Sequence, residues 1–354
     1  RNVIPLTEVK DSTLIPDVKA DVVVDALLGI GLKGKLRPPI LQLVEKINST
    51  DAFRVAVDVP SGIDSDSGEV LGTAVKANLT VTFYKAKPGL LKAKEYSGEI
   101  AVKNIGLPSE LERFTGPGDV SLAVKRRSPE AHKGTFGRLL VIGGSNVFSG
   151  APALAAMAAL RTGVDIVIVA APEKTATTIS SMSPALITVK LKGKHLNSGN
   201  LSALEEQLDS ATAVVLGPGL GLHSETQETV REVIEHIEKK GTPLLLDADG
   251  LKAFAEFRRK VELPMVLTPH AREYEILTGN KLPDDVEEKA EKVQKSARKL
   301  GATILLKGPV DVISDGEQTK FNFTGNPGMT VGGTGDVLSG VVGGLLAMGT
   351  DSFR

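Results

Sequence analysis

Short runs rich in Val, Ile and Leu recur along the chain at 21–28, 54–59, 79–83, 138–142, 166–170, 213–216, 243–246, 265–267, 302–307 and 310–314. Between them lie stretches with apolar residues at helical spacing, best developed at 38–48, 151–162, 225–240, 285–300 and 335–348. A strand that is apolar along its whole length needs cover on both faces, and parallel sheets flanked by helices supply it. The alternation predicts an α/β chain throughout.

At 354 residues the chain can hold two domains, each with its own core. Segment 111–131, rich in Glu, Pro, Gly and Arg and without periodicity, predicts a linker between domains at 1–110 and 132–354. No repeat of 20–50 residues and no low-complexity tract interrupts either half. Charge is balanced, with 42 basic and 43 acidic residues, so nothing electrostatic calls for a nucleic acid or an anionic membrane. A small-molecule ligand is expected instead. The absence of cysteine excludes disulfides, thiolate metal sites and thiol nucleophiles. No apolar run approaches the roughly 18 residues of a membrane helix, and the N-terminus lacks the apolar core of a signal peptide. A soluble, cytoplasmic homo-oligomer is expected. The chain opens on Arg1 and stops soon after a helical pattern, which predicts a fragment cut at both ends.

The most informative segment is "GNPGMTVGGTGDVLSGVVGGLLAMG", where a glycine cluster runs into a helix starting near Asp336. Glycines let backbone N–H groups approach an anion, and the helix N-terminus adds its positive dipole end. Such a cradle suits a phosphate. A carboxylate there is expected to be kept ionised by those donors, and it sits where a general base could meet a substrate hydroxyl. A plain Asp N-cap is the structural alternative.

"GTGD" before a small-residue helix resembles the anion hole of ribokinase-like kinases. Together with "HKGTFGRLLVIGGS", "GPGLG", "LLLDADGL", "LTPHAREYE" and "LLKGPVDVI" in that order, it is similar to the NAD(P)H-hydrate dehydratases. Upstream, "DVVVDALLGIGLKG", "VAVDVPSGIDSDSGEV" and "LTVTFYKAKPGLL" resemble the C-terminal part of the NAD(P)H-hydrate epimerase domain fused to such dehydratases. The resemblance implies a partial Rossmann-like three-layer domain followed by a ribokinase-like one. It implies repair of hydrated NADH or NADPH: phosphorylation of the ring hydroxyl by ADP or ATP with Mg2+, elimination of phosphate, and epimerisation of the hydrate. The cysteine-free, Lys- and Glu-rich composition hints at a thermophilic prokaryote and hence at ADP.

Carried over, the resemblance makes Asp336 the catalytic base and places phosphate on the amides of Gly332, Gly333, Thr334 and Gly335. Nucleotide falls to Lys307, Gly308, Pro309, Val310 and Asp311, with Gly335 touching it too. Hydrate falls to Ala151, Gly219, His270 and Asp336. Glu273 becomes an orienting or magnesium-linked carboxylate, and Asp247, in the strand-end pair Asp247 and Asp249, is expected near magnesium and nucleotide. Simple packing for Ala151 and ordinary turns for Gly219 and His270 are the structural alternatives.

The stretch "DVVVDALLGIGLKGK" contains G-x-G-x-x-G after a strand, with Asp58 closing "RVAVD" downstream. A redox dinucleotide site is nevertheless disfavoured. Asp25 would repel a pyrophosphate, the helix cannot begin before Pro38 or Pro39, and Asp58 runs into "PSG". In the epimerase resemblance these misfits acquire roles. Asp25 and Ser61 bind potassium, a hard cation that wants oxygen ligands. Gly29, Ile30, Gly31, Leu32, Lys33, Gly34, Lys35 and Asp58 bind the hydrated dinucleotide. The family's N-terminal Asn/Gly-rich motif has no counterpart in residues 1–20, so the epimerase site is expected to be incomplete. Two other readings stand beside repair: a ribokinase-like kinase of a vitamin-type alcohol, and a non-catalytic nucleotide-binding module.

Overall fold

Four parallel strands organise the N-terminal part of the chain: β1 (Val22–Asp25), β2 (Phe53–Val57), β3 (Leu79–Phe83) and β4 (Glu99–Lys103), in that spatial order. Helix α1 (Ile40–Asn48) joins the first pair, while α2 (Pro88–Lys92) and α3 (Lys94–Ser97) lie between β3 and β4. The computed structural model describes residues 6–12, 15–124 and 126–354, and the chain divides into two units, Arg1–Ser109 and Glu110–Arg354.

In the first unit Val44 and Ile47 of α1 pack with Leu36 and Val75, and Leu90 and Ala93 pack with Val59, Ile63 and Ala74. This cover lies on the face that carries Asp25 and Ala56, which are paired across β1 and β2 and both buried. The opposite face pairs Val22 with Phe53, and these residues, with Val24, are 53%, 48% and 60% exposed. Cover on both faces, expected from the apolar runs, is thus found on one face of this sheet among the described residues. A "VVV" run is apolar on both sides whichever side is covered.

The second unit holds nine strands: β5 (Arg138–Ile142), β6 (Ile166–Pro172), β7 (Ile187–Leu191), β8 (Ala213–Leu216), β9 (Leu244–Leu246), β10 (Met265–Leu267), β11 (Thr303–Leu306), β12 (Asp311–Ser314) and β13 (Thr319–Asn322). Their order is β13-β12-β11-β10-β9-β8-β5-β6-β7. The strands from β7 to β11 are parallel, and β12 and β13 add antiparallel hairpins at one edge. Helices α4 (Pro117–Ala123), α5 (Gly150–Thr162), α6 (Glu173–Met182), α7 (Leu201–Ser210), α8 (Ser224–Glu238), α9 (Asp249–Phe257), α10 (Ala271–Thr278), α11 (Val286–Leu300) and α12 (Thr334–Ala347) complete it. Here both faces are covered, by one apolar cluster containing Leu140, Leu216, Ile234 and Phe254 and another containing Val141, Ala156 and Val215.

Helix α12 lies against α5 with almost no side chain between them: a Cβ on Gly340 would come within 2.0 Å of the Ala155 carbonyl oxygen. Segment 111–131, expected to be a linker, contains part of a 3-10 turn and α4, and docks on β13. Thr115 N–H donates to Phe321 O at 2.9 Å and Lys320 pairs with Asp119. Its elements are too short to show a period in the sequence. No helix among the described residues is long and apolar enough to cross a membrane.

Candidate functional site

Strand order reverses between β5 and β8, because the chain leaves β5 toward β6 on one side and returns to β8 on the other. Such a switch point opens a crevice beyond the carboxyl ends of the strands, where open α/β sheets bind ligands. Glycines line it. Gly144 N–H donates to Pro218 O at 2.8 Å, and Gly219, at φ 68°, leaves so little room that a Cβ would sit 2.8 Å from the Cβ of Phe148 and 3.5 Å from that of Ala151. Ala151 and Gly219 are therefore brought together. Phe148, in "NVFSG", joins them, and no motif in the sequence marks it. Its ring is half-exposed but its backbone is fixed: Phe148 O accepts from Ser145 N at 3.1 Å, and buried Thr175 Oγ1 donates to Ser145 O at 2.7 Å.

One turn along α5 from Ala151, Leu154 meets the N-terminus of α12, where Gly333 has φ 94° and a Cβ would fall 2.7 Å from Leu154 Cδ1. The amides of Gly332, Gly333, Thr334, Gly335 and Asp336 find no acceptor among the described residues; the first helical donor is Val337, to Gly333 O at 2.9 Å. Five adjacent free donors at a helix N-terminus have the geometry to receive an anion. The Asp336 carboxylate makes no hydrogen bond or ion pair among the described residues. Burial pushes its pKa up, the charge of Asp247 adds to this, and Lys307 opposes it. The net direction is upward from the ordinary carboxylate value, so burial and Asp247 work against the ionisation that the helix end was expected to favour.

Lys307 stands at the end of β11 with Nζ 3.1 Å from Asp247 Oδ1 and 3.9 Å from Glu273 Oε2. A Cβ on Gly335 would lie 3.6 Å from the same nitrogen. Asp247, 2% exposed just after β9, also accepts from Ser339 Oγ of α12 at 2.5 Å. Ala248 between Asp247 and Asp249 has φ 49°, uncommon for a residue with a side chain. Asp249 serves a different end, accepting from Gly221 N at 2.9 Å and pairing with Lys252, so it holds the loop after β8.

His270 caps α10: its Nδ1 accepts from Arg272 N at 3.1 Å and Glu273 N at 3.3 Å, while Glu273 Oε2 accepts from His270 N at 2.9 Å. With Nδ1 the acceptor, the neutral ring carries its proton on Nε2. Glu273 thus has a capping role, with its carboxylate also beside Lys307. Lys307 N–H donates to Pro269 O at 2.9 Å, which sets His270 next to the nucleotide-type segment. That segment turns into β12 as Gly308 N–H donates to Asp311 Oδ1 at 3.0 Å, leaving Gly308 and Pro309 exposed and Val310 half-buried. A Cβ on Gly325 would meet Pro309 O at 3.1 Å, so the glycine loop adjoins the segment.

In the first unit the structure brings Asp25 and Ser61 together: Ser61 Oγ donates to Asp25 Oδ1 at 2.7 Å and Ser61 N to Oδ2 at 2.8 Å. Ser61 Oγ also accepts from Leu28 N at 2.9 Å, tying in the loop that holds Gly29, Gly31 and Gly34, which have no neighbour within 4 Å of an added Cβ. Both Asp25 and Ser61 are 1% exposed, and no basic side chain among the described residues pairs with Asp25. Asp58, at φ 66°, faces Lys87, Thr82 Oγ1 at 3.1 Å and Phe83 N at 3.0 Å. Burial raises its pKa, but Lys87 and the two other donors together hold it below the ordinary carboxylate range. Lys87, in "YKAKPG", is a partner of Asp58 that no motif marks, and among the described residues nothing joins Asp58 directly to the 29–35 loop.

The fold places the second unit in the ribokinase-like class. A ribokinase-like superfamily protein from Enterococcus faecalis superposes with TM-score 0.58 at 27% identity, over 67% of this chain and 80% of that one. An ADP/ATP-dependent NAD(P)H-hydrate dehydratase from Bacillus subtilis, co-crystallised with ATP and Mg2+, gives TM-score 0.56 at 27% identity, over 69% and 82%. The chain belongs to the NAD(P)H-hydrate dehydratase family, whose pattern matches residues 139–354, and residues 2–89 match the family described as YjeF-related protein N-terminus. Relatives called bifunctional NAD(P)H-hydrate repair enzymes are 45% identical in Hyperthermus butylicus, over 96% of this chain, and 47% in Pyrobaculum aerophilum, over 95%. The chain spans 64% and 67% of their lengths.

Proposed function

We propose that the second unit dehydrates hydrated NADH or NADPH at the expense of ADP or ATP, in the cytoplasm, and that the first unit serves epimerisation of the same hydrate. The observation that carries the reading is Asp336: an unpartnered, half-buried carboxylate with a raised pKa beside a row of free amides. Asp336 takes the proton of the ring hydroxyl as that oxygen attacks the terminal phosphorus, and the bond from that phosphorus to its bridging oxygen breaks to release AMP from ADP or ADP from ATP. Gly332 to Gly335 stabilise the charge on the phosphoryl oxygens. Lys307 balances the phosphates and, through Asp247, is held in place. Phosphate then leaves with its bonding electrons, the ring nitrogen lone pair assists, and loss of a ring C–H proton restores the double bond. Magnesium would neutralise nucleotide phosphates; Asp247 and Glu273, buried carboxylates flanking Lys307, fit it, each oxygen retaining lone-pair capacity.

In the first unit a buried carboxylate without a basic partner, beside a hydroxyl, fits potassium at Asp25 and Ser61. Incubation of both hydrate epimers with ADP or ATP, in potassium or choline buffer, tests the whole reading by recovery of NADH absorbance. Recovery of neither epimer overturns it; recovery of one leaves the dehydratase alone, and recovery of both equally in choline removes potassium.

Two further results are expected from the geometry. Because the base must be deprotonated, kcat/KM rises with pH through the raised pKa of Asp336. Asp247→Asn removes the charge that raises that pKa and moves the acid limb to lower pH, whereas Lys307→Gln moves it to higher pH; pH–rate profiles read both. We also assign the half-exposed ring of Phe148 to stacking on the hydrated nicotinamide. Phe148→Ala should raise KM for the hydrate about tenfold and leave the nucleotide KM unchanged, the size of an aromatic contact plus its burial.

A further inference from the structure

We propose that His195, His223 and Glu225 form a binding site for a divalent transition-metal ion, zinc being the best match. Each offers one ligand atom, and the three atoms lie within 4.8 Å of one another. Two imidazoles and a carboxylate suit zinc and its first-row neighbours, whereas magnesium and calcium prefer oxygen alone. His195 Nε2 faces Glu225 Oε2 at 3.0 Å, and an ion bonded to both at about 2.0–2.2 Å would replace the proton between them with little movement. The rings of His195 and His223 stack with centroids 3.9 Å apart. His223 Nδ1 accepts from Glu225 N at 3.4 Å, near the limit of a hydrogen bond, so its lone pair is barely committed and a rotation of the ring redirects it.

The loops that carry these ligands are already held. Asn197 Nδ2 donates to Lys192 O and His195 O at 3.0 Å each, and Asn200, 1% exposed, donates to Lys192 O at 3.0 Å. Thr226 Oγ1 donates to Leu196 O at 2.8 Å, which fastens the first turn of α8 to the His195 loop. Little ordering is left for the ion to impose. The side chains of His195 and Glu225 are 26% and 61% exposed, which leaves a way in and room for a water at a fourth position. An ion there would clamp the loop after β7 to the loop after β8, which also bears Gly219. The site is thus independent of the nucleotide chemistry but touches the loop that borders the crevice.

Calorimetry with zinc and visible spectroscopy with cobalt, on the tag-free full chain after chelator treatment and without nucleotide, test this. One equivalent should bind, with the d–d absorption of a tetrahedral nitrogen–oxygen site for cobalt. His195→Ala, His223→Gln and Glu225→Gln should each weaken zinc by more than the roughly 10 to 100-fold that follows loss of a mere supporting partner. His270→Ala, in the crevice, should leave the affinity unchanged. Absence of binding, or binding that survives all three ligand substitutions in folded variants, overturns the proposal.

Discussion

Asp336→Asn should lower kcat for hydrate turnover by about 10² to 10⁴, the range for a positioned general base, with both KM values near those of the parent. The amide has the shape of the carboxyl but cannot accept the hydroxyl proton. Nothing else is lost, since the carboxylate holds no hydrogen bond or ion pair among the described residues. The same substitution should raise the melting temperature at neutral pH. Burial and Asp247 raise the pKa in the folded state, so ionisation of Asp336 opposes folding above that pKa, and the penalty disappears below the ordinary carboxylate pKa. Asparagine removes the penalty at every pH. Survival of turnover would exclude Asp336 as the base, and a fall in stability would show that its carboxylate has a partner in solution.

Gly340→Val should cost more stability than any other single change in α12. Its Cβ would meet the Ala155 carbonyl oxygen at 2.0 Å and the Ala158 Cβ at 2.8 Å, and backbone cannot swing aside as a side chain can. Overpacking costs typically about 1–3 kcal/mol, which in a unit of this size lowers the melting point by roughly 2–4 °C per kcal/mol. Gly340→Ala should already show a large part of the loss. Gly332→Ala is the contrast, because a Cβ there has nothing within 4 Å. It should leave the thermal transition in place and weaken only the approach of phosphate to the amides. A scan in which both variants unfold at the parent temperature would refute the packing argument.

The strands that the sequence hid share a position. Glu99–Lys103, Ile187–Leu191 and Thr319–Asn322 each lie at a sheet edge, where charged and polar residues break the apolar run that betrays an interior strand. Interior strands such as Leu79–Phe83 and Arg138–Ile142 begin and end where their apolar runs do. The strand-end residues Asp247, His270 and Lys307 were legible as motifs, and the structure sets them on adjacent strand ends. Contacts set by three dimensions were not legible. Phe148 is near Gly219 only because β5 and β8 are neighbours, and Lys87 reaches Asp58 only across β3. The direction of the Asp336 shift was also out of reach, because burial is not written in "GTGD".

Ala248 carries a methyl group in a backbone conformation, φ 49° and ψ −119°, that glycine alone enters without strain. Holding it there costs of order 1–3 kcal/mol, supplied by the strand and helix on either side. A glycine would relax the joint and also let it wander. The alanine narrows the alternatives open to the peptide that aims Asp247 at Lys307 and Ser339, so this joint gives up thermodynamic comfort for accuracy of aim.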